Sequence, residues 1–98
     1  MRLTLTVPAS ALETAKRASQ ALDADVGGYY AFEAQDEQGN YFYIVNLDEW
    51  YYGQIQALMA DPTRLHGFIT QQFALRFPTD PVPSLTECAA LCANIVLS

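Results

Sequence analysis

Few side chains in this sequence of 98 residues are of types that do covalent or metal chemistry. His66 is the one histidine, and Cys88 and Cys92 are the two cysteines. Their spacing of four stacks both thiols on one face of a helix, a poor geometry for a disulfide. With His66 they would give three zinc ligands, but Cys-x-x-x-Cys on an apolar helix face lacks the loop that zinc sites use. Glu87 beside Cys88 opposes a lowered thiol pKa, so neither cysteine reads as a nucleophile. Asp36-Glu37 and Asp48-Glu49 are adjacent carboxylates that diverge from each other. Glycosidase chemistry needs two that face each other across a bond. Gly27-Gly28 has no following Lys-Ser or Lys-Thr, as a phosphate loop requires. No cofactor and no metal is expected, and no catalytic signature is present.

Charge distribution is more informative. Between Ala18 and Thr63 there is no lysine or arginine, yet Asp23, Asp25, Glu33, Asp36, Glu37, Asp48, Glu49 and Asp61 all fall there. Tyr29, Tyr30, Tyr41, Tyr43, Tyr51 and Tyr52 occupy the same stretch as three close pairs, with Trp50 beside the last. The five basic residues are scattered, so no footprint for nucleic acid exists. Carboxylates steer a chain toward basic surfaces, and tyrosine supplies rigid amphipathic contact area. In the reading that follows, Glu33, Asp36, Glu37, Tyr41, Tyr43, Asp48, Glu49 and Tyr52 contact a protein partner. Carboxylates on alternate strand residues would stand about 7 Å apart, near the phosphate spacing of a nucleic acid strand, but only Glu33 sits within an expected strand.

The elements that must position these residues follow from period and punctuation. Leu3, Leu5 and Val7 alternate with Thr4 and Thr6 as in a half-buried strand. Ser10 and Glu13 fit a capping box opening a helix over about 10–22, with Asp23 and Asp25 in the loop beyond it. Tyr29 to Ala34 and Tyr41 to Asn46 read as a hairpin around Gly39-Asn40. Phe42 and Ile44 share one face of the second arm, Tyr41, Tyr43 and Val45 the other. Helices on one side would leave the tyrosine side half exposed. Asn46 or Asp48 caps a second helix whose apolar face includes Leu47, Trp50, Tyr51, Ile55, Leu58 and Met59. Asp61-Pro62 starts a third that stops before Phe77-Pro78, and Ser84 with Glu87 boxes a last helix carrying Leu85, Cys88, Ala89, Cys92 and Ile95. The expected fold is α+β, a small antiparallel sheet of an N-terminal strand plus a hairpin packed against three to four helices, in the order β-α-β-β-α-α-α.

Length confines the chain to one domain spanning residues 1–98. Charged residues make up 16 % of it, against about 25 % in soluble proteins, so part of its surface is suited to being covered by another chain. No apolar run has the length of a signal peptide or membrane span, which makes the cytoplasm the expected compartment and a membrane an unexpected partner. In size and charge the chain is similar to small accessory proteins of phages and mobile elements, anti-CRISPR inhibitors among them. That likeness implies a non-enzymatic acidic module occupying a basic surface of a larger complex, such as a nucleic-acid-binding one. The alternative expectation is a phage structural or assembly protein, or a chaperone, forming a homo-oligomer through apolar surface on the sheet or last helix. A third is a small enzyme or ligand-binding domain resting on His66 and the tyrosine hydroxyls.

Overall fold

The structure, a computed structural model, describes residues 1–26 (backbone alone for 23–26), 32 and 34–98. Along the chain run β1 (Arg2–Val7), a 3₁₀ turn (Ala9–Ala11), α1 (Leu12–Val26), β2 (Ala34–Gln35), β3 (Tyr41–Asn46), α2 (Glu49–Met59), α3 (Pro62–Arg76), α4 (Leu85–Asn94) and β4 (Val96–Leu97). The fold is α+β, as expected, with one added strand at the end. All pairings are antiparallel, and the strands lie in the order β2-β3-β1-β4.

Leu3, Leu5 and Val7 point from β1 into a core that also takes Ala15, Ala18 and Leu22 of α1, Ile55 and Leu58 of α2, Leu65, Ile69 and Phe73 of α3, and Cys88 and Leu91 of α4. The helices therefore cover one face of the sheet, with α3 packed against all three others. The space beside Leu5, between β1 and the helices, amounts to about 10 Å³, no more than one water.

Three helices start as the sequence dictates. Asp48 accepts the Tyr51 backbone N–H at 2.7 Å, Asp61 accepts that of Arg64 at 3.1 Å with Pro62 following, and Ser84 and Glu87 form a reciprocal capping box. The first helix departs from expectation. Pro8 leads into the 3₁₀ turn without a side-chain cap, Ser10 lies inside that turn, and α1 opens at Leu12. It continues to Val26, so Asp23 and Asp25 belong to its last turns instead of a following loop. α4 ends sooner than its apolar repeat suggests. Ile95 turns extended (φ −74°, ψ 138°), and β4 pairs with β1, where Thr4 and Ser98 exchange backbone hydrogen bonds of 2.7 and 3.0 Å. The free edge of β1 offers those hydrogen bonds, and no local signal in the sequence announces it. The first arm of the expected hairpin, with Gly27, Gly28, Tyr29, Tyr30 and Glu33, lies outside the described residues apart from Phe32 and Ala34.

Candidate functional site

Pairing between β1 and β3 decides which side chains the sheet presents. Leu3 stands opposite Val45, Leu5 opposite Tyr43 and Val7 opposite Tyr41, so these three β3 residues share the helix-covered side. Thr4 stands opposite Ile44, Thr6 opposite Phe42 and Arg2 opposite Asn46 on the other side. This reverses the expectation that the tyrosines face outward. Both sides of β3 are apolar and could serve as core, whereas β1 has hydrocarbon on one side and threonine on the other. Antiparallel register transmits the unambiguous choice of β1 to the ambiguous strand beside it. Tyr41 and Tyr43 are consequently half-buried against the core, with the Tyr43 ring 6.5 Å from that of buried Phe32.

The outer side is a continuous face. Ala34 pairs with Phe42, Phe42 with Thr6 and Thr6 with Val96, which makes one row across all four strands. Ile44 and Thr4 form the next row, and Arg2 with Asn46 the last. Ile44 is 42 % and Val96 58 % exposed, and Arg2 is the single charged side chain among these described positions. Exposed apolar side chains clustered on one sheet face mark an interaction surface more often than isolated ones do.

The acidic residues take separate places around this face. Asp36 is engaged in its own turn: its carboxylate accepts the backbone N–H of Gln38 at 3.0 Å and of Asn40 at 2.9 Å, and the Asn40 side-chain amide at 3.4 Å. Gly39 closes that turn at φ 81°, where glycine is favoured. Asp48 is equally committed, as the cap of α2. Glu37 and Glu49 are exposed beside them. The turn and the helix start lie at opposite ends of β3, about 17 Å apart along a six-residue strand. The structure thus does not bring Asp36-Glu37 together with Asp48-Glu49. It also places Arg2 next to Asn46, at the Asp48-Glu49 end, whereas among the described residues the turn at the other end, 36–40, carries carboxylates and no basic side chain. Tyr52 is half-buried against the core, and Glu33 lies outside the described residues.

Neither of the two thiols is activated as a nucleophile. Burial, then the neighbouring Cys92 and Glu87, pushes the Cys88 thiol up to about 11, and burial followed by Asp61 raises Cys92 as well. Both are thiols at neutral pH, and Cys92 Sγ sits 3.8 Å from the Leu58 carbonyl. Among the described residues no three His, Cys, Asp or Glu side chains cluster as metal ligands would. No described helix is long and apolar enough to cross a membrane.

The residues that reading the sequence left out of the site are Thr4, Thr6, Ala34, Phe42, Ile44 and Val96. The signal for most of them was present in the threonines of β1, once that strand is paired with β3. No protein-family model, curated protein or solved structure matches this chain.

Proposed function

We propose that the chain is a non-enzymatic protein-binding module that docks through the open face of its sheet, with the acidic Asp36-Glu37 turn at the rim. The observation that carries this reading is a row of uncharged side chains, Ala34, Phe42, Thr6 and Val96, crossing four strands on the side away from the helices. The matching partner is a protein surface with apolar side chains at its centre and a basic residue where the turn arrives. Blocking a basic surface of a larger complex, the activity implied by the likeness to small phage and mobile-element inhibitors, suits this arrangement.

Size sets the strength of such docking. Two strands of six residues and two of two residues, about 4.8 Å apart, give a footprint of about 260 Å², well below the roughly 800 Å² per partner of a stable interface. A partner therefore has to reach over the turn as well. The clean probes are Ile44→Asp for the face and Glu37→Lys for the rim, because reversing Asp36 or Asp48 would also break a turn or a helix cap. In affinity capture from host lysate, a protein held by the native chain should be lost with Ile44→Asp, and weakened by Glu37→Lys and by high salt. Retention of every captured protein by both variants defeats the proposal.

A second copy is the other occupant, and one observation favours it. The face has Arg2 at one end and Asp36-Glu37 at the other, so an antiparallel pairing of two copies sets each turn over the other copy's arginine. Light scattering separates the two readings. A mass that doubles with concentration in the native chain but not in Ile44→Asp supports self-association.

A further inference from the structure

On the helical layer, α1, α2 and α3 leave a cleft of about 270 Å³. Leu22, Leu58 and Phe68 contribute apolar side chains to it, and Trp50 stands at its side with 68 % of its surface in solvent. The sequence places Trp50 on the apolar face of α2 and leaves open whether it packs into the core or points outward. Its ring leans on Tyr51, with centroids 5.9 Å apart, and presents most of its area outward. The polar lining comes from Gln54, Arg64 and Gln71. The volume exceeds the roughly 150 Å³ that accommodates a benzene ring in a protein interior, and the mixture of aromatic wall and few polar groups is typical of small-ligand sites.

Charge identifies the ligand class. Arg64 Nη2 donates to the neutral Gln54 Oε1 at 3.3 Å, and among the described residues its guanidinium has no carboxylate partner. The nearest acid in sequence, Asp61, spends its carboxylate on the Arg64 backbone N–H. α3 contains no Asp or Glu from Pro62 to Arg76, although the chain as a whole carries −6. Arg64 is the single charged side chain among the described residues that line the cleft, in an acidic protein. A guanidinium in a fixed fork suits a planar, bidentate anion, and the Trp50 and Phe68 rings suit a flat apolar body. We propose that this cleft binds a small aromatic carboxylate, with its ring against Trp50 and Phe68 and its carboxylate on Arg64. The site is independent of the sheet face and of what docks there.

The chain has one tryptophan, so the Trp50 indole N–H gives a single resolved reporter in a ¹⁵N–¹H spectrum. Phenylacetate should shift it along a saturable curve, with Kd in the millimolar range expected of about ten heavy atoms. The neutral phenylacetamide and the non-aromatic cyclohexylacetate should each bind several-fold more weakly. Arg64→Gln, which keeps the backbone bond to Asp61 and an amide toward Gln54, should weaken phenylacetate about three- to tenfold while leaving phenylacetamide unchanged. No saturable shift up to about 20 mM phenylacetate overturns the site. Equal affinity for acid and amide, or for native chain and Arg64→Gln in a spectrum that is otherwise native, overturns the role of the arginine.

Discussion

The functional reading stands on which side of the sheet is open, and two substitutions one strand apart test that directly. Leu5 is 2 % exposed on the inner side, and Ile44 is 42 % exposed on the outer. Truncating a buried leucine to alanine costs about 2–5 kcal/mol, because transfer energy is lost and a cavity remains. With only about 10 Å³ of free space beside it, Leu5→Ala belongs near the upper half of that range. Ile44 already has a large part of its surface in water. Full burial of isoleucine contributes about 1.5–3 kcal/mol, so the buried remainder contributes about half of that, and Ile44→Thr keeps one methyl and the β-branched shape. Its cost should stay below about 1 kcal/mol. The gap of at least ~2 kcal/mol should appear in urea unfolding followed by circular dichroism, and as a difference of about 8 °C or more in Tm for a domain of this size. If Ile44→Thr destabilises as much as Leu5→Ala, the sheet is covered on both sides or the register is shifted. The docking face would then not exist.

Further expectations concern the turn, the last helix and the thiols. Gly39→Ala should cost about 1 kcal/mol in thermal unfolding, for reasons of backbone conformation alone, since φ is 81° and nothing lies within 4 Å of the added methyl. A Gly39→Ala variant as stable as the native chain would contradict the left-handed turn. Hydrogen bonds from the Ser84 backbone and hydroxyl hold Glu87 below its usual 4.5. A depressed carboxylate stabilises the fold above its unfolded pKa and loses that contribution as pH falls through the folded one. Glu87→Gln should therefore flatten the decline of stability on acidification below about pH 5, and an unchanged slope would remove the capping box as its source. The raised Cys88 thiol works in the opposite sense. Its contribution is full below about 9 and lost as pH climbs toward 11, so stability should fall over that window less steeply in Cys88→Ala. At pH 8 Cys88 is overwhelmingly the protonated thiol and is buried, so iodoacetamide followed by mass spectrometry should label it only after unfolding. Labelling of both cysteines in the native chain would show that α4 opens.

Legibility tracked how local the cause was. Asp48, Asp61-Pro62 and Ser84 with Glu87 start their helices by bonds to residues three positions away, so a short window of sequence contains the whole interaction. Ser10 with Glu13 shows the same spelling without the outcome. Pro8 starts a 3₁₀ turn first, and the chain has passed Ser10 before α1 opens. β4 was hidden because its cause is distant: Val96 and Leu97 are strand residues only because the edge of β1 is unpaired there, some ninety positions earlier in the chain. The side of β3 that faces out was hidden for a related reason. Alternation tells that two faces exist, and pairing with β1 tells which is which.

The cation-free stretch from Ala18 to Thr63 shows what folding does to a linear charge pattern. In sequence its carboxylates form one block; in space two cations are brought back to its borders. Arg2 arrives beside Asn46 through strand pairing, and Arg64 reaches Gln54 across the α2–α3 junction. Three of the acids, Asp36, Asp48 and Asp61, have local structural duties that explain their presence without any partner. Among the described residues near the open face, the acid that remains free is Glu37, which is exposed and has no backbone duty among the described hydrogen bonds. Steering by a single exposed carboxylate is worth little at physiological salt, where charges more than about 8 Å apart are screened. Affinity at this face must therefore come mainly from Phe42, Ile44 and Val96, with the turn setting orientation. Glu37→Lys should slow association and reduce its salt dependence, whereas Ile44→Asp should chiefly speed dissociation. A partner whose dissociation rate is indifferent to Ile44→Asp binds elsewhere on the molecule.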